Sequence, residues 1–185
     1  MLSTATSITQ MPESILDKTF HARILQDVHG VCSVAGVQPK YLHSSMIGIC
    51  GEVELDWIRN FRRNEVQGNT GIMLLGVTRS DARCQAMAAA LLRNYTDARV
   101  IPLNSLLDSP EDGKEAHVLF IPNLFVASSG KAMPSYRVQA IYDLLLWRST
   151  QGKSTAVYVE NTQGLVGAYG SPFNDFLSDF TIVTK

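Results

Sequence analysis

The sequence predicts an α/β fold: a three-layer, doubly wound, mostly parallel sheet behind an N-terminal helical extension. Three observations carry this. Short apolar runs bounded by turn formers alternate with segments of helical periodicity, and the alternation ends on a strand. The run AHVLFI at 116–121 is continuously apolar, as in a strand buried on both faces of a parallel sheet. The stretch GIMLLGVTRSDARCQAMAAA at 71–90 reads as buried strand, glycine, polar loop and alanine-rich helix. In that order backbone N–H groups and a helix N-terminus can cradle an anion. With 185 residues the chain supports one sizeable core, so we divide it into an extension over 1–35 and an α/β domain over 36–185.

Residues 1–11 form a loose start, and Pro12 suits a first helical position. Ile15, Leu16, Phe20, Ile24, Leu25 and Val28 recur at helical spacing over 13–29. That amphipathic helix either covers the core of its own domain or docks on a partner. Gly36 and Pro39 break the chain. A second helix is predicted over 52–63, with Val53, Leu55, Trp57, Ile58 and Phe61 on its apolar side. Residues 72–75 form the first strand, and the helix after the loop runs to about Asn94. Its Ala86, Ala88, Ala89 and Ala90 give a small-residue face for close approach to a sheet. A second strand is expected over 99–103, a surface loop over 108–114 and the third strand over 116–121. After a loop at 127–131, Pro134 starts a long helix to Thr150, ended by Gly152. The fourth strand covers 155–159, Ser171 and Pro172 open a short helix over 173–177, and 180–184 makes the last strand.

Composition narrows the function. A net charge of −1 gives no global pull toward nucleic acid or anionic lipid, so any DNA contact is a local patch. Neither a secretory leader nor a membrane-crossing run is apparent, which predicts a cytoplasmic protein with no membrane partner. Cys32, Cys50 and Cys84 are scattered without a CxxC, and reduced, buried thiols are expected. His21 and His29 lack acidic or thiol partners at ligand spacing, so no metal site is predicted. Arg59, Arg62 and Arg63 cluster where the second helix ends. A solvated helix C-terminus, which cations complement, explains them well enough; a contact to DNA phosphates is the sharper alternative.

A working phosphate loop, GxxxxGK[ST], needs glycine for close backbone approach, lysine for the β/γ oxygens and a hydroxyl for Mg²⁺. Five residues on from Gly76, Asp81, Ala82 and Arg83 stand where Gly, Lys and Ser/Thr belong. An aspartate there repels phosphate. A one-residue insertion would instead bring Arg83 to the lysine position and Cys84 to the hydroxyl position; Arg can pair with phosphate, but Cys is a poor Mg²⁺ ligand. A hydrolase strand like 116–121 ends in Asp-Glu, to hold Mg²⁺ and activate water, whereas this one meets Pro122-Asn123. Asn161 follows the fourth strand at its carboxyl end, where ligands of open α/β sheets lie.

From Gly36 onward the order of pieces resembles the DnaC/DnaI-type helicase loaders and the IstB transposition ATPases, which are AAA+ proteins. GVQPKYLHSSM is similar to their Pro-x-x-Tyr lead-in, with the tyrosine one residue early. IMLLGVTRSDA stands where their LLLxGxxGxGKT stands, VLFIPNLFV where they carry a strand ending in Asp-Glu, and YDLLLWRSTQGKSTAVYVEN follows their helix, glycine turn and strand ending in Asn. The resemblance implies that Gly76 is the first glycine of the phosphate loop and Asn161 the sensor of the γ-phosphate. It matches Arg148 to an arginine of the preceding helix, with no role assigned. The arginine finger expected near the end is missing, since AYGSPFNDFLSD holds no basic residue.

With lysine, hydroxyl, acidic pair and finger all replaced, no catalytic residue is assigned. Gly76, Arg83 and Asn161 are expected as a vestigial nucleotide pocket, with ATP or ADP bound weakly or not at all. The expected function is a non-hydrolysing AAA+-like protein acting by protein contact in a DNA replication or mobile-element complex. Its partner would be a helicase or AAA+ loader, in a homo- or hetero-oligomer. The alternatives are an unusual ATPase using Arg83 and Asn161, and a DNA-binding module working through Arg59, Arg62, Arg63, Arg79 and Arg83.

Overall fold

A computed structural model describes Ala22, residues 26–127 and residues 133–184. The loose start, Pro12, most of the 13–29 helix, His21 and residues 128–131 of the expected loop lie outside the described residues. Five strands form one sheet in the order β2-β3-β4-β1-β5, and every pair is parallel. They are β1 (Gly71–Leu75), β2 (Ala98–Val100), β3 (Val118–Phe125), β4 (Ser154–Val159) and β5 (Thr181–Val183).

Alternate side chains of each strand feed two separate cores. On one face Ile72, Leu74, Val118, Phe120 and Ala156 pack under α5 (Ser80–Arg93), whose Ala86, Ala88, Ala89 and Ala90 are buried. Small residues let the helix lie close to the sheet. The same face is completed by α1 (Val28–Ala35), α2 (Pro39–Leu42), α3 (Glu52–Arg59) and α4 (Phe61–Val66), which contribute Cys32, Leu42, Trp57 and Phe61. The described end of the N-terminal extension thus belongs to the core.

On the other face Met73, Leu119, Ile121, Val157 and Val159 meet five helices. These are α6 (Leu103–Asp108), α7 (Pro110–Glu115), α8 (Ser135–Thr150), α9 (Thr162–Tyr169) and α10 (Ser171–Ser178). A run of ring contacts, Phe125–Tyr169–Phe173–Tyr142–Phe176–Phe180, binds α8, α9 and α10 into one layer at centroid spacings of 5.1 to 5.9 Å. The chain steps from β1 past β4 and β3 to β2 through α5, and then returns through helices on the opposite face. Crossovers of one handedness place their helices in this way.

Several expected elements differ. The helix over 52–63 breaks at Asn60, whose amide donates to the Asp56 carbonyl (3.1 Å) and carboxylate (2.9 Å) and competes with the helical ladder. The second strand stops at Val100, and Pro102 turns the chain into α6. The expected loop over 108–114 is mostly helical, because Pro110 suits the first turn of α7 and cations from other elements hold that helix's last carbonyls. The third strand starts only at Val118 and runs on through Pro122 to Phe125, and residues 162–169, to which no element is assigned from the sequence, form α9. Gly36 ends α1 with φ +64, and a Cβ there would sit 2.2 Å from the Val100 carbonyl oxygen, so only glycine fits.

Candidate functional site

Helix α5 leaves β1 toward one face and α9 leaves β4 toward the other, so the carboxyl ends of these neighbours flank the crevice where ligands of such sheets lie. Gly76 sits there. Its N–H extends the β1–β4 ladder to the Val159 carbonyl (2.9 Å), its φ is +60, and a Cβ would approach the Glu160 carbonyl oxygen to 3.2 Å. Arg79 is also left-handed, with φ 56 and ψ 37, and no side chain caps the N-terminus of α5. A turn with two left-handed residues, Gly76 and Arg79, therefore joins β1 to the uncapped N-terminus of α5.

The side chains of Asp81 and Arg83 are engaged elsewhere, while Arg79 is exposed and makes no ion pair among the described residues. Asp81 stands in the first turn of α5 and accepts from Gln85 Nε2 (2.9 Å), while Gln85 Oε1 accepts from the Gln38 N–H (3.0 Å). This chain of bonds ties α5 to the entry of α2. Arg83 turns toward α3 and pairs with Glu54 at 2.8 Å. Glu54 is fully buried, and its second oxygen accepts from the Gly51 N–H at 2.6 Å. The pair fixes α3 against α5. Beside it, burial and the Glu54 carboxylate push the Cys50 thiol up to about 12, and burial raises the Cys84 thiol as well. Both stay protonated and unreactive near neutral pH.

Asn161 is the N-cap of α9, with Oδ1 accepting from the Gly164 N–H at 2.6 Å. It follows Glu160, whose N–H donates to the Phe125 carbonyl (3.0 Å) and whose carboxylate accepts from the Ala127 N–H (2.7 Å). Gly76 and Asn161 thus both adjoin Glu160, whereas the Arg83 guanidinium is directed to α3.

Where an acidic pair would stand, β3 bulges. Ile121 pairs with Val157 and Phe125 with Val159, so three residues of β3 lie opposite one of β4. Pro122 is accommodated in this irregular stretch, where no ladder donor is needed. Asn123 Oδ1 accepts from the Leu103 N–H at 2.8 Å and secures the start of α6, whose N-cap is Pro102 and makes no side-chain cap. Among the described residues no group of three His, Cys, Asp or Glu side chains could hold a metal ion. No described helix is long and apolar enough to cross a membrane.

The arginine cluster lies apart from this crevice. Arg62 pairs with Glu65 at 3.2 Å and lies over the Phe61 ring, while Arg59 and Arg63 are exposed without an ion pair among the described residues. Glu65 also meets His117 Nε2 at 2.5 Å, just before β3 begins, which sets α4 toward the amino-terminal edge of the sheet. The structure therefore does not join Arg59, Arg62 and Arg63 to Gly76 and Asn161.

Arg148 closes the amino-terminal edge. It is fully buried and donates to the carbonyls of Gly113, Ala116 (2.9 Å), His117 (3.1 Å) and Ser154 (2.5 Å) and to Thr155 Oγ1 (3.0 Å). Burial pulls its guanidinium down to about 10. Lys153 joins it at the end of α7, bonding the Lys114 and Glu115 carbonyls. The role the sequence left open for Arg148 is structural.

One feature had no sequence signal. A cavity of about 520 Å³ opens at the carboxyl end of β3, between the starts of α6 and α8 and the end of α9. Arg137, Asn104 and Asn123 supply its nitrogen donors. Three helix ends make it, and their convergence is invisible in the linear chain. Tyr169 lines it with its hydroxyl donating to the Leu124 carbonyl (2.8 Å), and burial pushes the phenol up to about 12. No protein-family model matches this chain, and no curated protein matches it.

Proposed function

We propose that this chain is a non-hydrolysing, AAA+-like protein on a P-loop-like scaffold, acting in the cytoplasm by protein–protein contact within a DNA replication or mobile-element complex. It would serve there as a helicase-loader-like accessory, subunit or inhibitor. The observation that supports a loss of hydrolysis is the commitment of Arg83, the residue a one-residue insertion would bring to the lysine position, to the buried Glu54. The β3 bulge and the capping role of Asn161 agree with it. The DNA-processing context rests on the resemblance to helicase loaders and transposition ATPases. Titrating the chain into the purified replicative helicase and loader of its own cell tests the reading. Association at micromolar concentration, unchanged by ATP, is expected; no association with either protein rejects it.

A second reading, DNA contact, is favoured by Arg59 and Arg63, which are exposed and without an ion pair among the described residues. If they and Arg62 neutralise phosphates, log K against log salt should fall with a slope on the order of −3. Charge-reversed Arg59 and Arg63 would abolish that slope.

A further inference from the structure

We propose that the cavity at the carboxyl end of β3 binds a small organic anion, its carboxylate or phosphate held by Arg137 and its apolar body lying against Leu124, Phe125 and Met133. This site is separate from the Gly76 crevice and does not depend on the protein-contact reading.

Volume and position come first. About 520 Å³ falls in the range of small-molecule sites, and carboxyl ends of parallel strands are where such ligands settle. The polar lining then sets the sign of the ligand. Among the described residues no carboxylate lines the cavity and Arg137 makes no ion pair. Arg137 stands in the first turn of α8, the positive end of a sixteen-residue helix with no acidic residue in that turn. A guanidinium there is opposed by the helix dipole unless an anion joins it.

The neutral groups reinforce this. Because Asn123 Oδ1 is taken by the Leu103 N–H, the Nδ2 of the same amide is the group left to donate. The Asn104 carboxamide makes no hydrogen bond to a described residue and is available as well. The side chains around the apolar floor thus offer a guanidinium and two carboxamides, with acceptors coming only from the Asn104 oxygen and the last carbonyls of α9 at Ala168 and Tyr169. A purely apolar ligand would leave the guanidinium and both amides without partners, and a cation would meet Arg137.

Calorimetry on the full chain with naphthalene-2-carboxylate, naphthalene-2-carboxamide and inorganic phosphate separates charge from body. The carboxylate should bind at least about tenfold more tightly than the carboxamide, as one charge-assisted contact implies, and more tightly than phosphate alone. It should also shift the side-chain amide resonances of Asn104 and Asn123. Arg137→Gln should erase the preference for the carboxylate while leaving weak binding of the apolar body. Ala168→Trp, which fills the space from α9, should abolish binding of both aromatic ligands. Equal binding of carboxylate and carboxamide, a preference that survives Arg137→Gln, or no binding of either at millimolar concentration overturns the proposal. Both substitutions fall outside the fully buried core, so thermal midpoints near that of the parent chain keep every outcome interpretable.

Discussion

Helix α8 carries an arginine near each end, and the two live in opposite circumstances. Arg148, in the last turn, is fully buried and meets four carbonyls and one hydroxyl. Arg137, in the first turn, is half-buried beside a cavity and makes no ion pair among the described residues. The first closes the amino-terminal edge of the sheet by collecting the orphan carbonyls of α7 and its exit. The second faces the carboxyl-terminal edge, where the fold leaves room. One cation completes the structure, and the other is available to a ligand.

Substitutions can break this contrast or sharpen it. Arg148→Ala should have the largest effect, about 4 kcal/mol in urea unfolding, because several buried acceptors lose their donor together. A loss under about 1 kcal/mol would mean that water replaces the guanidinium and that the edge is not closed. Arg83→Ala comes next, at roughly 2–3 kcal/mol, since it leaves Glu54 charged and buried while the arginine itself was partly solvated. Glu54→Gln should restore part of that loss when added to Arg83→Ala; a double variant less stable than the single would contradict the pairing. Asn161→Ala should cost about 1 kcal/mol, the value of an N-cap, and should not differ with or without nucleotide. Arg137→Ala should stay within about 0.5 kcal/mol of the parent chain. If it matches Arg148→Ala in unfolding, the two ends of α8 are alike and the contrast fails.

Much of the sheet was legible because parallel strands are apolar on both faces: residues 72–75 and 155–159 fall within observed strands, and of the expected strand over 116–121 residues 118–121 do, Ala116 instead ending α7. The order of those strands was not, because crossover direction leaves no mark on a strand's own residues. The third strand was cut short at Ile121 because proline signals an end, yet a bulge absorbs Pro122 and pairing resumes at Phe125. Helix α9 was missed for a related reason: Gly164 and Gly167 weaken its helical signal, while the cap that nucleates it, Asn161, was assigned to a ligand. Helix α7 owes its form to Arg148 and Lys153, which lie more than thirty residues away.

The candidate site shows the same limit more sharply. Gly76 was readable, since a glycine between a buried strand and a helix has a local reason to be there. The commitment of Arg83 was not, because Glu54 precedes it by twenty-nine residues and only the packing of α3 on α5 brings them together. The cavity had no precedent in the sequence at all.

Calorimetric titration of ATP with Mg²⁺ into the full chain tests most directly the proposal that the Gly76 turn and the N-terminus of α5 hold no working phosphate site. The account predicts no heat beyond dilution up to millimolar ATP. Binding in the micromolar range that needs Mg²⁺ would contradict it and return Gly76 and Arg83 to a working nucleotide site.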